Sequence, residues 1–163
     1  MNEATAEGGR VNAASPRYLE QNSSQTLKEG LSEYYEVNPG LLEPSELPPA
    51  VAQLFRQHDA GHVVFGCDTS LRGEALIDTW TIFGSTAGIK GYLEYFKHPQ
   101  VNQIFADVGY LRIAVDSAIC LPAIFRVVIA GRRLSRPWPW RDYDHYIGDT
   151  LGAIRSEFGI WII

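Results

Sequence analysis

Cysteine is scarce: the chain has only Cys67 and Cys120, with no Cys-x-x-Cys pair. That excludes a disulfide framework and a zinc knuckle, and two buried free thiols in a reducing compartment are the expectation. Positive charge is also in short supply. With 14 Lys and Arg against 19 Asp and Glu, the formal net charge is -5, which argues against nucleic acid, since phosphate binding needs a clustered basic surface. The one local basic group, Arg132, Arg133 and Arg136, suits an anionic membrane surface or an acidic ligand instead.

Long apolar runs are missing too. A membrane-spanning helix needs about 20 residues with few or no charges. The nearest approach, Ile113 to Ala130, is interrupted by Asp116, Ser117 and Arg126, with Pro122 near its middle. A buried, kinked helix is the expectation there, and a helix at the membrane interface is the alternative. The N-terminus has no charged start followed by an apolar stretch, and Glu3 and Glu7 are unlike a mitochondrial presequence. A cytoplasmic protein, at most peripheral on the membrane, is therefore expected. Strict apolar–polar alternation never persists for more than a few residues, so the expected fold class is all-α: a single-domain helical bundle of ordinary composition.

Residues 1–28 carry few large apolar side chains and are expected to form a flexible tail, with residues 29–163 as the helical domain. Tyr34, Tyr35 and Val37 offer the first packing groups, and Asn38-Pro39-Gly40 signals a turn. Past Pro44, Pro48 and Pro49, the residues Val51, Leu54, Phe55, His58 and His62 recur at spacings of three and four, predicting a helix from about Pro49 to Gly66. Asp68, Thr69 and Ser70 are competent caps for a second helix. That helix is predicted from about Leu71 to Lys97, softened by Gly84, Gly88 and Gly91 and stopped at His98-Pro99. A third helical pattern spans about Val101 to Arg133, with breaks expected near Gly109 and Pro122. Arg136-Pro137-Trp138-Pro139-Trp140 reads as a stiff extended linker. A last helix is predicted from Tyr143 to Glu157, closed by Gly159.

The chemistry lies in Gln57-His58-Asp59-Ala60-Gly61-His62. At about 100° per residue, His58 and His62 stand one turn apart on one face, with Asp59 within the same arc of roughly 100°. One ion can touch all three, or Asp59 can orient a histidine from behind. A single helix covers only one side of an ion. The short connection after Gly66 folds the next helix back, so Glu74 in its opening turns can supply the other side. The predicted metal ligands are His58, Asp59, His62 and Glu74, a site between two consecutive helices, with Asp59 and Glu74 as candidate catalytic bases. Two imidazoles with one or two carboxylates suit zinc, manganese, cobalt or ferrous iron better than calcium or copper(I). Zincins use His-Glu-x-x-His, and this chain has Asp in place of Glu and no third His at the metzincin spacing. His58 is the first His of the chain, whereas an HD-type phosphohydrolase needs one upstream.

The pattern His58-Asp59-x-x-His62, eleven residues, then Glu74 resembles the signature of the ubiquinone biosynthesis proteins of the Coq-four type. His62-Val-Val-Phe-Gly66 is similar to that family's H-x-L-x-G stretch and Arg72-Gly73-Glu74-Ala75 to its x-G-E-A. Ile154-Arg155-Ser156-Glu157-Phe158-Gly159-Ile160 is similar to its closing I-R-x-E-Y-G-I segment. The likeness covers about residues 45–160. It implies a mainly helical fold, one bound divalent metal ion and a hydrophobic pocket for a prenylated aromatic or isoprenoid lipid. It also implies replacement of the C1 carboxyl of a prenylated hydroxybenzoate by hydroxyl, and contact with other quinone biosynthesis enzymes. Ile113, Leu121, Ile124 and Val128 are the candidate walls of a prenyl channel. A non-catalytic prenyl-lipid-binding scaffold and a small metal-dependent hydrolase are the competing readings, and a homodimer is a further candidate assembly.

Overall fold

The computed structural model describes residues 15–41, 45, 47–95, 97 and 110–163. Among them are six α-helices and no strand: α1 (Leu27–Val37), α2 (Pro49–Phe65), α3 (Leu71–Gly84), α4 (Gly88–Tyr95), α5 (Tyr110–Gly131) and α6 (Leu151–Phe158). Short 3-10 turns at Arg17–Leu19 and Tyr143–Tyr146 precede α1 and α6. The all-α expectation holds. No helix among the described residues is long and apolar enough to cross a membrane.

The order begins earlier than composition suggests. Residues 15–28, expected within a flexible tail, are packed: Tyr18 is 1% exposed and Leu27 is fully buried. The reason is polar and lies downstream. The carboxylate of Glu33 accepts from the backbone N–H groups of Arg17 (3.1 Å) and Tyr18 (2.9 Å) and from the Gln25 amide, so three donors of an otherwise polar segment are satisfied at once. Residues 1–14 lie outside the described residues. Helix α1 then starts on a full capping box, Thr26 Oγ1 accepting from Glu29 N while the Glu29 carboxylate accepts from Thr26 N. The chain beside this cap pairs with the start of α6, where Leu27 N donates to Asp149 O and Leu151 N to Gln25 O.

Helix α2 follows the predicted limits. Pro49 occupies its first turn, and Gly66 ends it in the left-handed region at φ 66° while Cys67 N donates to His62 O (2.9 Å). The return to α3 takes only Cys67–Ser70. Ser70 Oγ caps Gly73 N (3.1 Å), and Asp68 Oδ1 accepts from Ser70 N. Gly73 is required here because a Cβ at that position would fall 2.0 Å from the Asp68 carbonyl oxygen.

The predicted helix 71–97 is two helices. Gly84 and Thr86 leave helical geometry to bond the Trp138 backbone: Trp138 N donates to Gly84 O (2.8 Å) and Thr86 N to Trp138 O (2.9 Å). The extended Pro137–Trp140 linker thus cuts α3 from α4. The last predicted helix is likewise divided, because Thr150 caps a fresh start for α6. Residues 98–109, which carry the expected His98-Pro99 stop and Gly109 break, lie outside the described residues.

The core is formed where α2 and α3 meet α1, α5 and α6. Phe65 stacks on Trp80 (4.5 Å between centroids), and Trp138 packs on Tyr146 and Phe158. Arg155, 1% exposed, ties the pieces together. Among the described residues its guanidinium donates to five backbone carbonyls: Val63, Val64, Tyr18, Glu20 and Gln21. Helix α5 runs through Pro122 and is not the buried helix expected. Cys120, Ala123 and Val127 face the core, while Ile119 (71% exposed), Leu121, Phe125 (65%) and Ile129 face outward. Leu121 is exposed and Ile124 and Val128 are half-buried, so they lie on a surface face, not in an enclosed channel. The side chain of Ile113 is outside the described set.

Candidate metal centre

Two adjacent helices bring three side chains to one point. On α2, His58 and His62 are one turn apart, and their Nε2 atoms lie 3.1 Å from each other. From the first turn of α3, Glu74 spans both: Oε2 is 3.4 Å from His58 Nε2, and Oε1 is 3.4 Å from His62 Nε2. One ligand atom from each residue falls within a sphere of mutual separation below 4.8 Å. First-row divalent ions bind nitrogen and oxygen at about 2.0–2.2 Å, so donors around a tetrahedral ion sit about 3.3–3.6 Å apart, and less in an octahedron. The observed spacings match. His58, His62 and Glu74 form a cluster able to hold a metal ion.

The supporting contacts fix the orientation of that cluster. His62 is fully buried, and its Nδ1 lies 3.2 Å from the Cys67 carbonyl oxygen. A carbonyl only accepts, so Nδ1 carries a proton, and a lone pair faces the cluster once Nε2 gives up its own. The ring of Tyr34 stacks on His62 at 5.4 Å between centroids, and the rings of Trp140 and His58 meet in a T-shaped contact at 6.4 Å. Glu74 keeps 41% of its side chain exposed, so the cluster has one face toward solvent, the place for an exchangeable ligand.

The electrostatics agree with the crowding. Burial works against a charged His58, but the hydrogen bond and charge of Glu74 outweigh it and raise its pKa, with Asp78 and Asp59 adding to the effect. Burial also opposes ionisation of Glu74, yet the charge of His62 and the hydrogen bonds from both histidines hold it well below the usual carboxylate range. A divalent ion satisfies the same demand by placing positive charge between a carboxylate and two facing lone pairs.

Asp59 is not brought to this point. Its carboxylate turns to α1, where Oδ2 accepts from the Tyr35 hydroxyl at 2.7 Å, and it is absent from the converging donors. Burial pushes the Asp59 pKa up, partly offset by His58, the Tyr35 hydrogen bond and His62.

Residues the motif did not point to complete the surroundings. Asp78 lies one helical turn beyond Glu74 on α3, a spacing that would have flagged it. Its pKa is pushed up to about 6 by burial, against the opposing pull of His58 and the Tyr92 hydrogen bond. With Leu54, His58, Thr81, Gly91, Tyr92 and Trp140 it lines a small open cleft of about 20 Å³ beside the cluster. Tyr34 and Tyr35 read from sequence only as packing groups, because nothing local shows that α1 crosses behind α2. No family model, curated protein or solved structure matches the chain.

Proposed function

We propose that this chain holds one divalent metal ion, zinc, manganese, cobalt or ferrous iron, on His58, His62 and Glu74, and works on it in prenylquinone biosynthesis. The reaction is replacement of the C1 carboxyl of a prenylated hydroxybenzoate by hydroxyl. With dioxygen as oxidant it balances as two aromatic acids and one dioxygen giving two phenols and two carbon dioxide molecules. The observation that carries the metal half is the convergence of two imidazole nitrogens and both oxygens of Glu74 at ligand spacing. The reaction itself rests on the resemblance of the His58–Glu74 pattern to the Coq-four type.

When bound, the ion would supply a Lewis-acid site for the substrate carboxylate and, if redox-active, a site for dioxygen. The chain's own residues do the rest. His62, fixed through Cys67 O, and His58 hold the nitrogens in place. Glu74 holds the opposite side and, being partly exposed, faces incoming substrate. Tyr34 and Trp140 flank the two imidazoles with aromatic surface.

A second reading, a non-catalytic prenyl-lipid-binding scaffold for quinone biosynthesis enzymes at the membrane surface, is supported by the outward apolar face of α5, with Ile119, Phe125 and Ile129 exposed. The two are separated by one series. Metal is quantified on the purified full chain and on Glu74→Ala, and the wild type is asked to restore C1 hydroxylation in cells lacking it. About one ion per chain, lost in folded Glu74→Ala, together with restored hydroxylation, is the expected result. A wild type that takes up no metal under replete conditions overturns the site. A metal-bound but inactive wild type leaves the scaffold.

A further inference from the structure

The cleft beside the metal cluster has a chemical character of its own. Its polar side chains, His58 and the Trp140 indole aside, are Asp78, Thr81 and Tyr92. The Tyr92 hydroxyl donates its one proton to Asp78 Oδ2 at 3.0 Å. The Thr81 hydroxyl donates its proton to Ile77 O at 2.8 Å, within helix α3. An ionised carboxylate has no proton to give. What Asp78 offers toward the cleft is therefore lone pairs, and the two hydroxyls beside it have already committed their single protons. A cleft lined by acceptors selects a ligand that donates. The remaining walls are Leu54, Trp140 and the bare backbone of Gly91, which suit a flat apolar body, and the interior has room for a group about the size of a water or hydroxyl.

We propose that Asp78, backed by Tyr92 and Thr81, is a specificity subsite that receives the hydroxyl of a hydroxyaromatic acid whose carboxylate sits on the metal. The inference rests on the metal reading of His58, His62 and Glu74 and deepens it, because His58 belongs to both the cluster and the cleft wall and makes the two subsites contiguous. Asp78 itself is not among the converging metal donors, so its substitution separates ligand choice from metal binding.

The test uses the full chain loaded with zinc or cobalt, with metal content measured first. Binding of benzoate and of 2-, 3- and 4-hydroxybenzoate is then measured by calorimetry and, for cobalt, by the visible spectrum. At least one hydroxybenzoate is expected to bind about ten-fold tighter than benzoate, the scale of one hydrogen bond to a charged acceptor. In Asp78→Asn that preference falls to within about two-fold, because the amide no longer offers two acceptor oxygens, while metal content and benzoate affinity stay as in the wild type. Tyr92→Phe reduces the preference partially and serves as the second variant should Asp78→Asn fail to fold. A loss of fold would lower all four affinities together; only the subsite moves their ratio. Metal-loaded wild type that binds benzoate and every hydroxybenzoate alike overturns this inference alone, as does an undiminished preference in Asp78→Asn or in Tyr92→Phe. Wild type that takes up no metal overturns the metal reading, and the subsite falls with it.

Discussion

Replacing Arg155 by Met removes the strongest polar tie in the fold without changing the length of the buried side chain much. The guanidinium donates to Val64 O from Nε (2.8 Å), to Val63 O (2.7 Å) and Tyr18 O (2.6 Å) from Nη2, and to Glu20 O and Gln21 O from Nη1. Val63 and Val64 belong to the last turn of α2, whose carbonyls have no partner within the helix and form the negative end of its dipole. A hydrogen bond from a charged donor contributes about 1.5–3 kcal/mol net. Against these bonds stands the desolvation of a buried guanidinium, several kcal/mol in effective terms. Burial lowers the Arg155 pKa to about 10, which leaves it charged at neutral pH. Met leaves those buried carbonyls without their donor at about 1–3 kcal/mol each before relaxation, less the desolvation no longer incurred, a net loss of about 3–5 kcal/mol. For a chain of this size that corresponds to a fall in Tm of roughly 6–20 °C. Arg155→Lys keeps the charge but not the planar fork, and is expected to lose about half as much. Urea and thermal unfolding measure the loss. Hydrogen exchange should show amides of residues 17–23 opening first, since their tether to α2 is gone. Arg155→Met within about 1 kcal/mol of wild type would refute the reasoning, whose magnitude depends on carbonyls left without donors.

Gly73→Ala forces a Cβ against the Asp68 carbonyl oxygen at 2.0 Å, so the turn must move and carry Glu74 with it; metal affinity measured by competition with a chelator should drop at least about ten-fold, the lower end of the usual range for a disturbed supporting contact. Glu33→Ala frees the Arg17 and Tyr18 N–H groups and should destabilise by about 1–2 kcal/mol at pH 7. Burial disfavours the Glu33 anion, but the hydrogen bonds from Arg17, Tyr18 and Gln25 prevail and its pKa is lowered. The contribution is thus full above the unfolded carboxylate pKa of about 4.3 and is lost as pH falls through the folded value, so the mutant and wild-type urea midpoints should converge in acid. Phe125→Gln, on the exposed face of α5, should leave the unfolding free energy within about 0.5 kcal/mol of wild type while weakening sedimentation with anionic lipid vesicles. Acidification should release the bound metal, because protons compete with the ion for the lone pairs of its imidazole ligands; dialysis at stepped pH with metal analysis checks it.

Helical periodicity and end signals are local, and they carried what is local in this protein. The run Val51–His62, Pro49 at its start and Gly66 at its end defined α2 to within a residue, and the one-turn spacing of His58 and His62 placed two imidazoles on one face. The short Cys67–Ser70 connection, with Ser70 as cap, made Glu74 the partner from the next helix. Whatever depends on a contact distant in sequence was decided by the tertiary structure. Tyr35 lies 24 positions before Asp59, and its hydroxyl draws that carboxylate away from the metal donors, an outcome with no trace in the heptad around His58. Trp138 breaks the 71–97 helix from more than fifty residues downstream by offering its backbone to Gly84 and Thr86. Arg155 and Glu33 order the polar segment from residue 15 by satisfying its backbone groups, which composition cannot register because it measures apolar surface and not hydrogen-bond partners. The outward turn of Ile119, Phe125 and Ile129 follows from the single face of α5 that α3 covers. Side-chain identity determined which groups could meet; the crossing of α1, α2 and α3 determined which of them did.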